Sequence, residues 1–527
     1  MKLSLSTLNN DFWAQKGYKT PAFDVAAVRE NTLENPVWLH FGVGNIFRIF
    51  PAMMQQTLLD NGLQQSGIIG CECFDEECIT KVSDKYDGLT IGVTLKASGG
   101  MEKNIIASVT DAFAWSKNAA DVTKIFENPC LQMASFTITE KGYQVRGGDG
   151  AFFPFIRADI EAGPGRAAGL MGIVAGLLYA RWQKGAAPIT LVSLDNCSHN
   201  GDKLADAVRA IAGEWLKAGK VEEGFLQYIS DPKKVAFPIS MIDKITPRPS
   251  ETVRDMLAAD GLEDCGIIVT GKSTYTAAFV NSEETGYLVI EDAFTNGRPP
   301  LDKAGAIFTA RETVDKVEKM KVCTCLNPLH TTLAVYGCLL GYTSISAEMK
   351  DPELPKLIAR IGYDEGLPVV VDPGIISPKA FIDECINVRF PNVFVPDTPQ
   401  RIACDTSQKI PVRFGETLKA YRAKGMDTAS LKYIPLMFAG WLKYLTGIGD
   451  DGKPFEQSPD PMLAELTRQI AGVTKDNLHE KAAPILSNPA IFGLNLYECG
   501  LGEKTEGYFA EMLEGENPVR NTLKKYL

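Results

Sequence analysis

The chain has 527 residues, of which 45% are hydrophobic and 23% charged, with 47 Gly and 30 Pro. Single hydrophobic cores stop growing near about 250–300 residues, so this length predicts two domains, with three as the alternative. The composition is that of a globular protein and excludes collagen, a coiled coil and extended disorder. The net charge of −11 at pH 7 removes the attraction on which nonspecific binding to nucleic acid or an anionic membrane depends.

The N-terminal segment predicts neither secretion nor membrane insertion. Asn9, Asn10 and Asp11 stand where a signal peptide needs its apolar region. The longest apolar stretch, around residues 167–179, is shorter than the ~18–20 residues of a membrane span. We therefore expect a cytoplasmic protein with no membrane or nucleic-acid partner.

The twelve cysteines raise the question of disulfides or a zinc site. Cys71 and Cys73 are separated by one residue, as are Cys323 and Cys325, and no CxxC occurs. The four histidines are His40, His199, His330 and His479. They form no HExxH or other metal-spaced pair. We expect reduced thiols and chemistry that uses no metal.

The first regular pattern in the chain is typical of a β-α-β unit. Residues 36–41 are a short apolar run that leads into Gly42 and Gly44, then a helix-compatible stretch and a second apolar run at 67–73. Two glycines at this turn let the backbone approach a pyrophosphate, whose charge then sits on the helix N-terminus. Phe47 stands where a third glycine is usual, so the glycine pair by itself is weak evidence.

The end of the second run should carry the acid that binds the ribose hydroxyls, and Glu72 and Asp75 fall there. An acidic strand end favours NAD, because a 2′-phosphate would meet like charge. The predicted cofactor contacts are Gly42, Gly44, Asn45, Ile46, Glu72, Asp75, Thr139, Glu140 and Asp195.

Two more strand-like runs, at 134–139 and 188–194, enclose a helical stretch at 167–182. Alternation of strands and helices predicts a doubly wound parallel sheet. Both runs end in polar clusters, and ligands of such sheets bind beyond the carboxyl ends of the strands. The alternative for Asp195 and Asn196 is a cap on the following helix.

Helical segments dominate after residue 297. They cover residues 310–319, 328–340, 352–361, 378–390, 415–423, 433–445 and 460–470. We therefore predict a Rossmann-type α/β domain over residues 1–297 and a mostly α-helical domain over 298–527, which would hold the substrate.

The start of the second domain combines a lysine, an asparagine and a histidine in an otherwise apolar stretch. A lysine beside an apolar wall can exchange a proton with an alcohol or a carbonyl. Asn327 and His330 are three residues apart and would share a helix face. The alternative is that Asn327 caps a helix with Pro328 in its first turn and that His330 is a buried structural residue.

Cations are concentrated farther along this acidic chain, at Arg389, Arg401, Lys409 and Arg413. Their spacing places the last three roughly on one side of a helical segment. Such a group can hold the hydroxyls and the carboxylate of a small polar acid. The alternative is a salt-bridged surface helix.

Several blocks in a fixed order carry a resemblance to a known family. They are residues 42–48 (GVGNIFR), 137–143 (TITEKGY), 195–196 (DN), 200–201 (NG), 241–247 (MIDKITP), 290–294 (IEDAF), 297–299 (GRP), 327–330 (NPLH) and 401–413. Spread over residues 36–450, they resemble the long-chain, metal-independent polyol dehydrogenases, the mannitol dehydrogenase family. Lys244 stands where that family usually has arginine.

The resemblance implies roles for individual residues. Lys321 would be the general acid/base, Asn196 and Asn327 would polarise the reacting oxygen, and His330 would orient the substrate. It also implies that Arg401 and Lys409 contact the substrate, and we predict Asn200 and Arg389 as further substrate contacts. One departure matters, because the family lysine precedes its asparagine by five residues, whereas Lys321 stands six before Asn327. Either an inserted residue or a bulge keeps Lys321 in this role, or Lys319 takes it.

The resemblance further implies hydride exchange between NAD(H) and a sugar acid or polyol, without metal. The cation-rich second domain and the Asn-Pro-Leu-His block look more like the uronate-handling branch, so the expected reaction is D-fructuronate to D-mannonate. Tagaturonate reduction and mannitol oxidation stay open as alternatives, as do an inactive nucleotide-binding sensor or scaffold and a zinc-dependent dehydrogenase.

Overall fold

A computed structural model describes all 527 residues, which divide into two compact units, Met1–Val314 and Asp315–Leu527. The division falls later in the chain than residue 297, because strand Ile307–Thr309 pairs in parallel with strand Tyr287–Glu291 and so belongs to the first unit.

A six-stranded parallel sheet forms the centre of the first unit. Its strands are β1 Trp38–Phe41, β2 Ile68–Glu72, β3 Val109–Ala114, β4 Met133–Phe136, β5 Ile189–Ser193 and β6 Val235–Ala236. Their order across the sheet is β3-β2-β1-β4-β5-β6. Strands β1, β2, β4 and β5 are buried at every position, as expected for a sheet covered on both faces. This is the strand order of a dinucleotide-binding fold, with the switch point between β1 and β4. The predicted Rossmann-type architecture is confirmed.

Helices cover this sheet and bury two apolar clusters against it. The α-helices of the unit are Phe12–Gln15, Val25–Glu34, Asn45–Ile49, Pro51–Asp60, Trp115–Glu127, Pro154–Ala162, Leu170–Gln183, Asn200–Lys217, Glu223–Ser230 and Glu251–Asp260. Short 3-10 helices lie at Leu5–Thr7, Glu140–Tyr143 and Leu301–Ala304, and a π-helical turn at Ile79–Ser83. Helix Leu170–Gln183 matches the one predicted at 167–182, and its apolar side chains contribute to the larger cluster.

Smaller sheets that the sequence patterns did not predict complete the first unit. One contains Tyr18–Lys19, Met101–Ile106, Thr90–Leu95 and Phe279–Glu283. A second contains Ser240–Asp243, Tyr287–Glu291 and Ile307–Thr309, and Ile268–Val269 pairs with Tyr275–Thr276 in a hairpin. The hairpin matters for the site, because its loop contacts the segment that follows β2.

The second unit is helical, as predicted. After helix Arg311–Met320 its α-helices are Asn327–Leu339, Ile345–Glu348, Leu354–Ala359, Pro378–Glu384, Pro399–Ile402, Thr406–Ile410, Glu416–Ala423, Tyr433–Leu445, Leu463–Ile470, Leu478–Leu486, Pro489–Phe492, Gly502–Glu511 and Pro518–Tyr526. Short 3-10 helices lie at Leu367–Val369, Thr428–Ser430 and Tyr497–Cys499. Four π-helical turns interrupt the pattern at Lys321–Cys325, Arg360–Gly366, Cys385–Arg389 and Pro411–Gly415.

The C-terminal helices pack on the buried helix Tyr433–Leu445, chiefly through Gly502–Glu511. Arg520 ties the last helix to Asp351 at 2.6 Å, so these residues complete the core of the second unit. None of the helices in either unit combines the length and apolar character that a membrane crossing requires.

Candidate active site

The first unit presents a glycine turn at the end of β1. Gly42 has φ +95°, and a Cβ added there would lie 2.3 Å from the carbonyl oxygen of Thr137, so no other residue fits. Gly44 precedes helix Asn45–Ile49, and a Cβ at Gly44 would meet no atom within 4 Å. The turn therefore leaves open space in front of the helix start, where the backbone N–H groups of the first turn point. This geometry fits a pyrophosphate.

Phe47, which replaces the usual third glycine, is fully buried and stacks on His40 at a centroid distance of 3.9 Å. The ring of His40 also bonds to the hydroxyl of Ser135 at 2.6 Å. Burial lowers the pKa of His40 to about 3, so the imidazole is neutral. His40 is thus a structural histidine, and Phe47 fills the helix–sheet contact that a small residue usually makes.

The two acids predicted at the end of β2 have different environments. Glu72 accepts hydrogen bonds from the backbone N–H of Val43 (2.9 Å), Phe74 (2.9 Å) and Asp75 (3.2 Å). It therefore clamps the glycine turn to its own strand end. Asp75 accepts one hydrogen bond through Oδ2, from the Thr270 hydroxyl at 2.6 Å. The other oxygen of Asp75 makes no hydrogen bond within the protein, which leaves it the better candidate for a ribose hydroxyl.

Asp195, predicted as a cofactor contact, is committed to the loop that follows β4. Its carboxylate accepts from the N–H of Ile138 and of Thr139, each at 2.9 Å, and from the Tyr143 hydroxyl at 2.6 Å. Burial raises its pKa, and these hydrogen bonds oppose the shift. Thr139 has φ +65°, an unfavourable conformation for a non-glycine residue that the Asp195 contact helps to hold. Asp195 thus fixes the loop and has little capacity left to bind a cofactor directly.

The remaining predicted residues of this unit are near the same strand ends. Glu140 is at the surface and pairs with Lys203 at 2.6 Å. Asn196 follows Asp195 and is exposed. Asn200 is fully buried, donates to the carbonyl of Ser240 (3.1 Å), and accepts the Ser240 N–H (2.9 Å). Its amide thus bonds to other groups of the protein, and the role of Asn200 as a substrate contact stays a prediction.

In the second unit, Lys321 and Lys319 are clearly distinguished. Lys321 is buried, with 3% of its surface exposed. The side chain of Lys319 is 51% exposed, and its Nζ lies 3.5 Å from Glu416. Of the two, Lys321 is the buried lysine, which fits a side chain that exchanges a proton with a bound substrate.

The extra residue between the lysine and the asparagine is taken up by the π-helical turn Lys321–Cys325, called the lysine turn below. The N–H of Leu326 donates to the Lys321 carbonyl at 3.1 Å, a bond that spans five residues. Such a turn absorbs one inserted residue without ending the helix. The carbonyl of Cys323 accepts from the Thr417 hydroxyl at 3.0 Å, which satisfies a group within the turn. The spacing anomaly in the sequence thus has a structural cause.

Asn327 begins helix Asn327–Leu339, with Pro328 in its first turn. It is not the cap, because Leu326 occupies that position and no side chain caps the helix. The amide of Asn327 makes no hydrogen bond within the protein and is partly exposed. It is therefore available to a ligand.

His330 lies one turn farther along this helix and is mostly buried. Its Nε2 is 3.0 Å from Asp397 Oδ2, and its ring stacks on Phe390. Burial lowers the pKa of His330, and Arg413 and Arg401 add to this, whereas Asp397 opposes it. The imidazole is thus held beside an anion and kept in its neutral form.

The predicted substrate cations also differ in environment. Arg401 donates Nε and Nη2 to Asp397 Oδ1, at 3.0 and 2.6 Å, and its side chain is 66% exposed. Lys409 donates to the carbonyls of Ile402 (3.0 Å) and Cys404. Arg389 is buried in the turn Cys385–Arg389.

Arg413 was predicted only as a member of the cation group, yet it contacts the helix that carries Asn327 and His330. Its Nη1 donates to the Thr331 hydroxyl and, at 3.4 Å, to the carbonyl of Asn327. The π-helical turn Pro411–Gly415 directs it there. Regular helical spacing would have placed it differently, so only the charge of the segment could have pointed to it.

All twelve cysteines are free thiols, and Cys71 and Cys73 are 3.9 Å apart at their sulfur atoms. No group of three or more His, Cys, Asp or Glu side chains is arranged to hold a metal ion.

Comparison with family models gives matches over most of the chain. Residues 37–303 match the mannitol dehydrogenase Rossmann domain, and residues 313–501 match the mannitol dehydrogenase C-terminal domain. A D-mannonate oxidoreductase of Thermotoga maritima is 50% identical, over 100% of this chain and 99% of that protein. A D-arabinitol 4-dehydrogenase of Ralstonia nicotianae is 30% identical, over 84% and 94%.

Two solved structures of sugar-alcohol dehydrogenases superpose on this chain. A D-sorbitol dehydrogenase in substrate-free form superposes with a TM-score of 0.81 at 25% identity, over 95% of this chain and 97% of that one. The Pseudomonas fluorescens mannitol 2-dehydrogenase, in a ternary complex with NAD and D-mannitol, superposes with a TM-score of 0.71 at 25% identity, over 100% and 99%.

Proposed function

The chain belongs to the mannitol dehydrogenase family, and from this premise we propose that it reduces D-fructuronate to D-mannonate with NADH, and catalyses the reverse reaction with NAD. The observation that carries the reaction class is the buried Lys321 followed by the open amide of Asn327. The Thermotoga maritima relative, half identical over the full length, supports the choice of a sugar acid.

The first unit has the features that an NAD site needs. The open space at Gly44 and the first turn of helix Asn45–Ile49 would receive the pyrophosphate, and Asp75 would accept a ribose hydroxyl. Glu72 and Asp195 fix the loops around this position and need not touch the cofactor. Bound NADH supplies the hydride.

The second unit supplies the proton. In the reduction, the ammonium of Lys321 donates a proton to the oxygen of the carbonyl as the carbon receives the hydride, and in the oxidation the neutral amine takes that proton back. The amide N–H of Asn327 donates a hydrogen bond to the same oxygen and stabilises its developing negative charge. The family resemblance assigns a second such amide to Asn196. The neutral ring of His330 orients the substrate.

A panel of four substrates tests this proposal. NADH oxidation, followed by absorbance, is measured with fructuronate, tagaturonate and fructose, and NAD reduction with mannitol, each repeated with the NADP(H) form. We expect kcat/KM to be highest for fructuronate with NADH, and unchanged after exhaustive chelation. A higher kcat/KM for tagaturonate or fructose would mean that this compound, and not fructuronate, is the substrate. NADH binding without turnover of any of the four would indicate a sensor or scaffold, and loss of activity on chelation a metal enzyme.

A further inference from the structure

Two arginines of the second unit make opposite use of the same pair of donors. Arg401 places Nε and Nη2, the two parallel donors on one side of its guanidinium, on Asp397 Oδ1. These are the donors with which arginine binds a carboxylate side-on. Arg401 is therefore already paired, and Asp397 also lies beside His330.

Arg413 leaves this pair of donors open. Only its Nη1 is bonded, to the Thr331 hydroxyl and the Asn327 carbonyl. Its Nε and Nη2 donate to no atom of the protein, and no acidic side chain forms a salt bridge with it. The guanidinium is thus anchored by one nitrogen, and the two donors on its other side bond to no atom of the protein.

A second cation in the same segment also lacks an acidic partner at contact distance. Lys409 bonds only to backbone carbonyls, those of Ile402 and Cys404. Burial lowers the pKa of Lys409, and Arg413 lowers it further; burial alone lowers the pKa of Arg413 to about 10. Two neighbouring, partly buried cations without a paired anion are unfavourable in an empty protein. They indicate a place built for an anion.

We propose that Arg413 binds the carboxylate of a sugar-acid substrate through Nε and Nη2, with Lys409 as the second cation. This inference rests on the proposed function and names the residue that makes the enzyme specific for an acid. The bond from Nη1 to the Asn327 carbonyl places the carboxylate-binding group next to the residue whose amide is to hold the reacting oxygen. Arg401, which the family resemblance gives as a substrate contact together with Lys409, pairs with Asp397 beside His330.

Two matched ligands test the assignment. D-Mannonate and D-mannitol differ in a carboxylate against a hydroxymethyl group, and their Kd values are measured by calorimetry on the NAD-loaded enzyme. Turnover of fructuronate and fructose gives the same comparison in kcat/KM. Arg413→Met should raise the Kd of D-mannonate by about 100-fold and that of D-mannitol by less than about 5-fold, because only the acid loses a charge pair. Arg401→Met should raise the two Kd values equally, by less than about 10-fold.

The control is Arg468→Met, which removes an exposed arginine from helix Leu463–Ile470 and should leave the Kd of both ligands unchanged. If Arg413→Met lowers the Tm, Arg413→Gln, which keeps a donor for Thr331, gives the same comparison. Equal losses on acid and neutral ligand would overturn the inference and make Arg413 a helix anchor. If wild type turns over no sugar acid, the proposed function itself fails; if it does and Arg413→Met keeps the preference, only this assignment fails.

Discussion

The two units differ in which groups they leave available to a ligand. In the first unit the buried acids Glu72 and Asp195 are used up by backbone N–H groups, and the position left open is one without a side chain, at Gly44. In the second unit the open groups are side chains, the amide of Asn327 and one side of Arg413. Under the proposed function, the cofactor would contact fixed backbone, whereas the substrate would contact side chains that are not paired within the protein.

The units differ in regularity as well. The glycine turn joins a standard strand to a standard helix, whereas Lys321 and Arg413 both lie in π-helical turns. A π-helical turn shifts every later side chain around the helix axis by one residue, and such turns are frequent at functional sites. The first unit has one π-helical turn, Ile79–Ser83, and the second has four, so side-chain positions are harder to predict from helical spacing in the second unit.

The largest effect should come from the lysine turn. Lys321→Ala should lower kcat by about 10²–10⁴, because it removes proton transfer from the chemical step. The affinity for NADH should stay within about 5-fold, since the lysine lies in the unit that does not carry the glycine turn. Steady-state kinetics and fluorescence titration of NADH measure the two effects.

Lys319→Ala is the matched control, two residues away and at the surface. It removes only an exposed pair with Glu416, which is worth less than about 1 kcal/mol. Near-normal turnover is therefore expected. The opposite pattern, with Lys319→Ala inactive and Lys321→Ala active, would mean that the π-helical turn does not restore the family register.

The glycine turn gives a second, intermediate effect. Gly44→Ala adds a methyl group to open space at a negative φ, so the Tm should not fall, yet NADH should bind at least about 10-fold more weakly, equivalent to about 1.4 kcal/mol. Gly42→Ala must lose more than about 2 kcal/mol of stability, because its Cβ meets the Thr137 carbonyl at a positive φ. Calorimetry and NADH titration separate the two variants. Unchanged NADH affinity in Gly44→Ala would place the pyrophosphate elsewhere.

The sequence predicted the strands and helices that have clear apolar periodicity, together with the glycine turn and the lysine stretch. Helix Tyr433–Leu445 even has the predicted limits. The strands Thr90–Leu95 and Met101–Ile106 pair with each other in an antiparallel hairpin, yet they escaped prediction because half of Met101–Ile106 is polar and only its last two residues are buried.

Hydrogen-bond partners are what the sequence could not supply. Asn200 looked like a ligand contact because it is polar and follows a strand, yet its amide is saturated by Ser240 and neighbouring backbone. The pairing of Arg401 with Asp397 is a local contact across four residues, whereas the contacts of Arg413 with Asn327 and Thr331 join segments more than 80 residues apart. The sequence shows that Arg413 is charged, but it does not show which groups this arginine contacts.

The smallest effect concerns the choice between NADH and NADPH, at the end of β2. Asp75→Ala removes the oxygen that bonds to no other group of the protein together with the one that accepts the Thr270 hydroxyl, so the hairpin loop loses one hydrogen bond, NADH binding should weaken by a few-fold and NADPH binding should become stronger. The ratio of the two Kd values should shift by about 10-fold, since a like charge facing the 2′-phosphate is lost. Lys272, whose Nζ lies 4.0 Å over the ring of Phe74, is a nearby cation that would favour the phosphate once the acid is gone.

Glu72→Ala should behave differently, because it releases three backbone N–H groups of the turn. It should weaken the binding of both cofactors together and lower the Tm. A shift in cofactor ratio for Glu72→Ala and none for Asp75→Ala would exchange the roles of the two acids, and would show that a carboxylate already bound by the backbone can still discriminate between cofactors.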